Sequence, residues 1–155
     1  MVYDVWGSWS PLVGPNAPLD DTCSNQRQGS AVSAVASWTA AKFPAKQLVL
    51  GVPAYGRGFQ VEQAAALPTG SGELAAYPPF DPITPRGDRL DQRSTGVDEC
   101  GAPASGGYSG IFNFWGLIEQ GYLTGAGVPA NGISIRFDQC SQTVHTVPFF
   151  ELGRI

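Results

Sequence analysis

Met1-Val2-Tyr3-Asp4-Val5-Trp6 and Gln47-Leu48-Val49-Leu50-Gly51-Val52-Pro53 are the two stretches whose reading decides the fold. Each is a short apolar run bounded by turn residues, the pattern of a strand buried on both faces. Between them the period changes. Ala31, Val35, Trp38 and Lys42 recur at i, i+4, i+7 and i+11, with Val32 and Ala36 alongside, which predicts a helix from Ser30 to Phe43. Ser30 supplies an N-cap, and Phe43-Pro44 supplies the stop. Strand, loop, helix, strand is a βαβ unit, which implies parallel strands joined by a right-handed crossover. Functional residues of such folds gather where strands end and loops begin. Tyr3-Asp4 and Ala54-Tyr55-Gly56-Arg57 stand at those ends, on one rim. A buried strand at residue 1 has no neighbour before it, so the expectation is the later part of something longer.

After Gly58 the βαβ rhythm stops. Residues 59–107 hold Pro68, Pro78, Pro79, Pro82, Pro85 and many glycines, with short β-type stretches such as Gly58-Phe59-Gln60-Val61. Tyr108 to Tyr122 is apolar again. Leu117 to Gly121 suits a short helix ended by glycine. Ile133-Ser134-Ile135-Arg136-Phe137-Asp138 alternates as a strand does. The expected organisation is part of a larger sheet at 1–55, a small α+β module at 56–140 inserted between two strands of that sheet, and a short tail at 141–155 that no pattern places.

Composition narrows the partners. The net charge of −4, without any run of Lys or Arg, argues against nucleic acid or an anionic membrane surface. No stretch approaches the roughly 20 apolar residues of a membrane span. Charged residues are scarce, while glycine, proline and aromatic residues are many, which suits a loop-rich extracellular protein that handles carbohydrate. Met1 is not followed by a basic n-region, so no signal peptide is expected in this chain. The three cysteines and the single His145 have no zinc-ligand spacing, and no cofactor fingerprint is present. Cys100 and Cys140 flank a compact unit and are the expected disulfide, leaving Cys23 unmatched. Three reduced thiols are the alternative.

No nucleophile elbow, P-loop or H-E-x-x-H is present. Asp20-Asp21 and Asp98-Glu99 are adjacent carboxylates expected in solvated loops. What remains is a binding surface. Tyr3 offers a phenol, Asp4 a carboxylate, Trp6 and Trp9 flat apolar faces, Tyr55 a second phenol and Arg57 a fork of donors. Stacked aromatic rings beside such groups suit an uncharged polar sugar. Trp6 and Trp9 fit core and site equally well, and an Asp4–Arg57 ion pair of purely structural purpose is the rival reading. Phe112, Phe114 and Trp115 are expected in the module core, and Trp38 on the packing face of the helix.

The stretches Met1-Val2-Tyr3-Asp4-Val5-Trp6-Gly7-Ser8-Trp9 and Gly14-Pro15-Asn16-Ala17-Pro18-Leu19 resemble the sixth strand and following loop of fungal-type family-18 chitinases. Leu50-Gly51-Val52-Pro53-Ala54-Tyr55-Gly56-Arg57-Gly58-Phe59 resembles the seventh strand and the start of that family's insertion domain. Gly110-Ile111-Phe112-Asn113-Phe114-Trp115 and Phe137-Asp138-Gln139-Cys140-Ser141 resemble its inner part and exit. The resemblance covers residues 1–143 and implies an α/β fold: a partial (β/α)8 TIM barrel, strands 6 and 7, with an α+β insertion domain. It implies an extracellular protein whose partners are chitin or chito-oligosaccharides, cleaved by a retaining, substrate-assisted mechanism without a cofactor. Tyr3 would position the substrate acetamide, Asp4 would bind the sugar at the cleavage point, and Met1 would line the pocket. Tyr55 and Arg57 would contact sugars from the insertion side.

One departure governs activity. The family's general acid is the Glu of D-x-x-D-x-D-x-E. Asp88-Arg89-Leu90-Asp91-Gln92-Arg93-Ser94-Thr95 fails at the third acid and at the Glu, and it lies in the insertion. Without that acid the leaving oxygen goes unprotonated, a step worth roughly 10²–10⁴-fold. The expectation is a chain inactive by itself. A non-catalytic chitinase-like protein that binds chito-oligosaccharides is the alternative.

Overall fold

A computed structural model of the chain describes residues 1–104 and 106–148. The elements are helix α1 (Ala31–Ala40), a 3₁₀ turn (Ala45–Gln47), strand β1 (Tyr55–Arg57), helix α2 (Gln63–Ala66), strand β2 (Ile111–Asn113), helix α3 (Phe114–Glu119) and strands β3 (Ile133–Asp138) and β4 (Thr143–Pro148). They form two antiparallel pairs, β1 with β2 and β3 with β4. Tyr55 faces Asn113 in the first pair, and Asp138 faces Thr143 in the second.

The expected parallel pair is not a sheet among the described residues. Residues 1–6 and 48–53 run without strand structure, joined by one bond from the Val2 amide to the Gly51 carbonyl at 3.1 Å. The physical reason is coverage. Parallel strands persist when both faces are packed, yet Val49 is 93% exposed, and Leu50 and Val52 are exposed too. The surface of 10389 Å² exceeds the about 7,500 Å² expected of a compact monomer of this mass.

Helix α1 is built as its sequence dictates. The Ser30 hydroxyl accepts from the Ser33 amide, and the Ser33 hydroxyl accepts from the Ser30 amide, a reciprocal cap. The Ala31 and Val32 amides donate to the Pro18 and Leu19 carbonyls. The helix ends before Pro44, in a glycine-type stop that uses lysine. Lys42 takes φ 68°, its amide reaches the Thr39 carbonyl, and the Phe43 amide reaches the Trp38 carbonyl. Phe43 and Trp38 stack edge to face at 5.5 Å. Only Ala31 of this helix is buried, and Trp38, expected on a packing face, is 56% exposed.

Residues 7–29 form a strap across the second half of the molecule. The Val13 amide donates to the Pro78 carbonyl at 3.0 Å and the Leu19 amide to the Ser141 carbonyl at 2.8 Å. Cys23 and Cys140 form a disulfide, with Cα atoms 5.7 Å apart. This overturns the expected Cys100–Cys140 pair: Cys100 is free and exposed. Its turn is closed locally, because Asp98 accepts from the Cys100 and Ala102 amides, whereas the Leu19–Ser141 bond brings the strap to Cys140.

Buried carboxylates take the place of a large apolar core. Asp88 accepts from the Leu90 and Asn113 amides and from the Asn113 side chain. Asp91 accepts from the Gly87, Ser109 and Gly110 amides and the Ser109 hydroxyl. Asp138 accepts from Tyr77, Ser141 and the Cys140 amide. Asp21, expected in solvent, is also buried and accepts from the Gly29 amide and the Ser30 hydroxyl. Burial would raise the Asp88, Asp91 and Asp138 carboxyls, but these donors outweigh it and hold all three below the usual carboxylate range.

In the second half the start of the glycine-ended helix and the expected burial of Phe114 and Trp115 are corrected. Helix α3 starts at Phe114, not Leu117, and presses Gly116 on Asp88, where an added Cβ would lie 2.5 Å from the Asp88 Cβ. That contact leaves Phe114 and Trp115 exposed, while Phe112 packs on Tyr122 at 5.8 Å. The tail is not without structure: Thr143–Pro148 is β4, bound along β3. The rest of the expected tail, 149–155, lies outside the described residues.

Candidate functional site

The first extended run ends at Asp4, whose φ is 57°. That left-handed conformation costs an ordinary residue about 1 kcal/mol and is met mainly by glycine, asparagine and aspartate. It turns the carboxylate toward β1. Asp4 Oδ1 accepts from the Tyr55 hydroxyl at 2.8 Å, Arg57 Nε at 3.1 Å and Arg57 Nη2 at 2.6 Å. Tyr55 and Arg57 meet one carboxylate because they stand two apart on a strand and share a face. The Arg57 side chain is largely covered, while the Asp4 side chain is 40% exposed.

Partial burial would raise the Asp4 carboxyl. The hydrogen bonds from Arg57 and Tyr55, with the Arg57 charge, overcome it and hold that carboxyl below its ordinary range. The Tyr55 phenol is pushed up to about 12 by burial first, and then by its bond to Asp4 and the carboxylate charge. Tyr55 is therefore a fixed hydrogen-bond donor to Asp4 across the neutral range, and the acid and guanidinium cancel in charge.

Trp9 completes the cluster. The Ser10 amide donates to the Gly7 carbonyl at 2.9 Å and the Gly7 amide to Ser10 Oγ at 3.1 Å, a tight turn that folds the indole back. A Cβ at Gly7 would lie 2.4 Å from that ring, so only glycine permits the approach. Arg57 Cζ stands 4.7 Å from the indole centroid, a cation–π contact, and Trp9 remains 60% exposed.

The other candidates lie around this cluster in different roles. Tyr3 is half-buried, edge-on to Tyr55 at 6.2 Å, and its hydroxyl donates to the sulfur of the exposed Met1. Trp6 is 3% exposed and packs on Tyr77 at 5.8 Å, so it offers no open face. The Asp88 and Asp91 carboxylates are buried in loop turns, and their hydrogen-bond partners, Gly87, Leu90, Ser109, Gly110 and Asn113, lie outside this cluster. Sequence reasoning passed over Asn16. Its Oδ1 accepts from the Asp4 amide at 3.0 Å, its carbonyl from the Val5 amide at 3.1 Å, and its Nδ2 donates to the Tyr55 carbonyl at 3.1 Å. Among the described residues, no group of three His, Cys, Asp or Glu side chains could hold a metal ion, and no helix is long and apolar enough to cross a membrane.

Comparison with known proteins sets this geometry in a family. The profile described as glycosyl hydrolases family 18 matches residues 1–103. A chitinase-like effector of Moniliophthora perniciosa is 53% identical over 148 residues, covering 94% of this chain and 33% of its own. One of Moniliophthora roreri is 52% identical, covering 92% of this chain and 35% of its own. The chain thus spans about a third of the length of these curated relatives. The crystal structure of a chitinase from Rhizomucor miehei superposes with a TM-score of 0.72 at 31% identity, over 96% of this chain and 38% of that one. An Ostrinia furnacalis Group IV chitinase in complex with allosamidin shares the fold at a TM-score of 0.61 and 18% identity, over 95% of this chain and 33% of that one. The motifs that close the two extended runs, the profile match and the identity with fungal relatives agree: the chain belongs to glycosyl hydrolase family 18.

Proposed function

We propose that this chain carries the sugar-positioning half of a chito-oligosaccharide site and does not hydrolyse chitin by itself. The observation that carries the reading is the single Asp4 oxygen that gathers Tyr55 and Arg57 beside the exposed Trp9. This neutral, donor-rich cluster next to an open indole matches an uncharged N-acetylated sugar, whose hydroxyl and amide groups need fixed partners and whose ring has an apolar face. In this reading residues 1–55 correspond to strands 6 and 7 of a (β/α)8 barrel, 56–140 to the insertion module and 141–155 to a tail.

Within such a site the roles follow from the family resemblance. Tyr3 orients the acetamide whose oxygen attacks the anomeric carbon, and Asp4 holds the sugar beside it. Tyr55 and Arg57 fix the Asp4 carboxylate and meet the sugar from the insertion side. Met1 and Trp9 line the approach. Trp6, sealed against Tyr77, supports the strand end. Alignment of the acetamide replaces a bimolecular attack and can supply a large share of the barrier reduction. The D-x-x-D-x-D-x-E acid is not in this chain, so protonation of the leaving group must come from elsewhere. The Cys23–Cys140 bridge supports an oxidising, extracellular setting.

The missing acid and the chitinase-like effector relatives also favour a second reading, a non-catalytic binder of chito-oligosaccharides. Chitin retention tests the shared part. The purified chain should stay on chitin beads and elute with N-acetylglucosamine oligomers, without releasing product from a fluorogenic chito-oligosaccharide. Asp4→Ala or Trp9→Ala should weaken retention about tenfold or more. Free passage of the wild-type chain, or equal retention of Asp4→Ala, overturns the binding site. The two readings part upstream: an in-frame D-x-x-D-x-D-x-E before residue 1 in the transcript favours the enzyme.

A further inference from the structure

We propose that Asn16 is a positioning residue: its side-chain amide and carbonyl lock the backbone of Asp4 and of Tyr55, so that the carboxylate, phenol and guanidinium hold one arrangement without Asn16 touching a ligand. The inference rests on the sugar-binding reading above only for its consequence; its geometry stands alone.

Asp4 sits in a conformation that an aspartate leaves readily unless its surroundings fix it. Asn16 provides that fixation. Three hydrogen bonds converge on one residue: the Asp4 amide on Oδ1, the Val5 amide on the backbone carbonyl, and Nδ2 on the Tyr55 carbonyl. The first two hold the two peptide units that flank the Asp4 turn. The third reaches a residue 39 positions away, on β1. A carboxylate could not replace the amide, because Nδ2 must donate to a carbonyl while Oδ1 accepts from an amide. Serine or alanine would lose the reach. The Asp4 carboxylate closes the same loop from the other side by binding Tyr55 and Arg57. Residues 1–6 and 48–53 share one ladder hydrogen bond, so there is no sheet to hold the two strand ends in register. The Asn16 bridge does so in its place.

The test uses the full chain, labelled with nitrogen-15, as wild type, Asn16→Ala, Asn16→Asp and a control, Ser109→Ala, which removes a bond to Asp91 elsewhere in the molecule. Two readouts are taken: hydrogen-exchange protection of the Arg57 Nε–H, assigned by its loss in Arg57→Lys, and affinity for tetra-N-acetylchitotetraose by calorimetry. Asn16→Ala should cut both about tenfold, while its melting temperature falls no further than that of Ser109→Ala. Asn16→Asp keeps the acceptor for Asp4 but sets an oxygen against the Tyr55 carbonyl, and should lose protection about threefold or more. The proposal is overturned if Arg57 protection is unchanged in Asn16→Ala, or falls equally in Ser109→Ala. Should Asn16→Ala fail to fold, unchanged protection in Asn16→Asp overturns it instead. If the wild type binds no oligosaccharide yet Arg57 protection collapses in the Asn16 variants, the positioning role stands and the sugar reading falls.

Discussion

Residues 1–53 and residues 55–148 solve the same problem in opposite ways. The first region is written in apolar residues: Val2, Val5, Val32, Val35, Trp38, Val49, Leu50 and Val52. Most of them are exposed, and one hydrogen bond joins its two extended runs. The second region is loop-rich and has short strands, yet its turns are closed by Asp88, Asp91 and Asp138, each loaded with donors. Apolar burial is non-directional and needs neighbours to cover the faces. A carboxylate saturated with backbone donors shapes a loop by itself. Hence the first region depends on what covers it, whereas the second carries its own framework.

The sharpest way to break the contrast is to cut the link. Cys23→Ala frees the strap from the second region and removes a closure spanning 117 residues. Stability should fall by about 2–5 kcal/mol, read as a lower denaturant midpoint that reductant no longer shifts. An unchanged midpoint would mean that the hydrogen bonds of Val13 and Leu19 alone hold the strap.

Acid should act next, and first on the second region. Asp88, Asp91 and Asp138 are lowered in the fold, so the stability they contribute is present above the ordinary carboxylate pKa of about 4 and is lost as pH falls through their lower folded values. His145 is lowered too, chiefly by burial, against the pull of the Asp138 charge. Its contribution is intact above about 6.5 and declines as pH drops below that value. Amides of the second region should therefore lose exchange protection on acidification before those of α1, and His145→Gln should remove the earlier part of the decline. Simultaneous loss in both regions would show that they unfold as one unit.

The smallest effect sharpens the contrast from the other side. Lys42 occupies the left-handed stop of α1, where glycine is free of strain. Lys42→Gly should raise the stability of α1 by about 0.5–1 kcal/mol, seen as greater amide protection within Ala31–Ala40 and little change in β3 or β4. A loss of helix protection would mean that the lysine side chain does more than tolerate the turn.

What could be read from the sequence follows the same division. Helix α1 was legible because Ser30 and the apolar period act locally, and β3 because its alternation is clean. Strand β4 was not, since Thr143, His145 and Thr146 blur its alternation and only pairing with β3 defines it. The runs 1–6 and 47–53 read as buried strands because their pattern is apolar on both faces, but burial is a property of neighbours as well as of pattern. Asp21 read as solvated, and Asp88 and Asp91 as part of an incomplete motif, because composition does not show where backbone donors converge. Cysteine spacing does not encode pairing, so Cys23 was misassigned. Tyr3, Asp4, Tyr55 and Arg57 could be picked out from their places at the ends of the runs. Asn16 could not, because its partners are main-chain groups from two distant segments, and main-chain groups leave no mark in a sequence.

The strap also governs the order in which the chain can assemble. Val13, Leu19 and Cys23 all seat on groups between Pro78 and Ser141. Leu19 and its neighbour Pro18 in turn hold the opening turn of α1. A nascent chain therefore presents the strap, residues 7–29, long before its docking surface between Pro78 and Ser141 has been synthesised. These distant closures must precede the local gains that depend on them, which makes folding slow and essentially post-translational. The strap is made before the surface that seats it, and it is among the last segments to find its place.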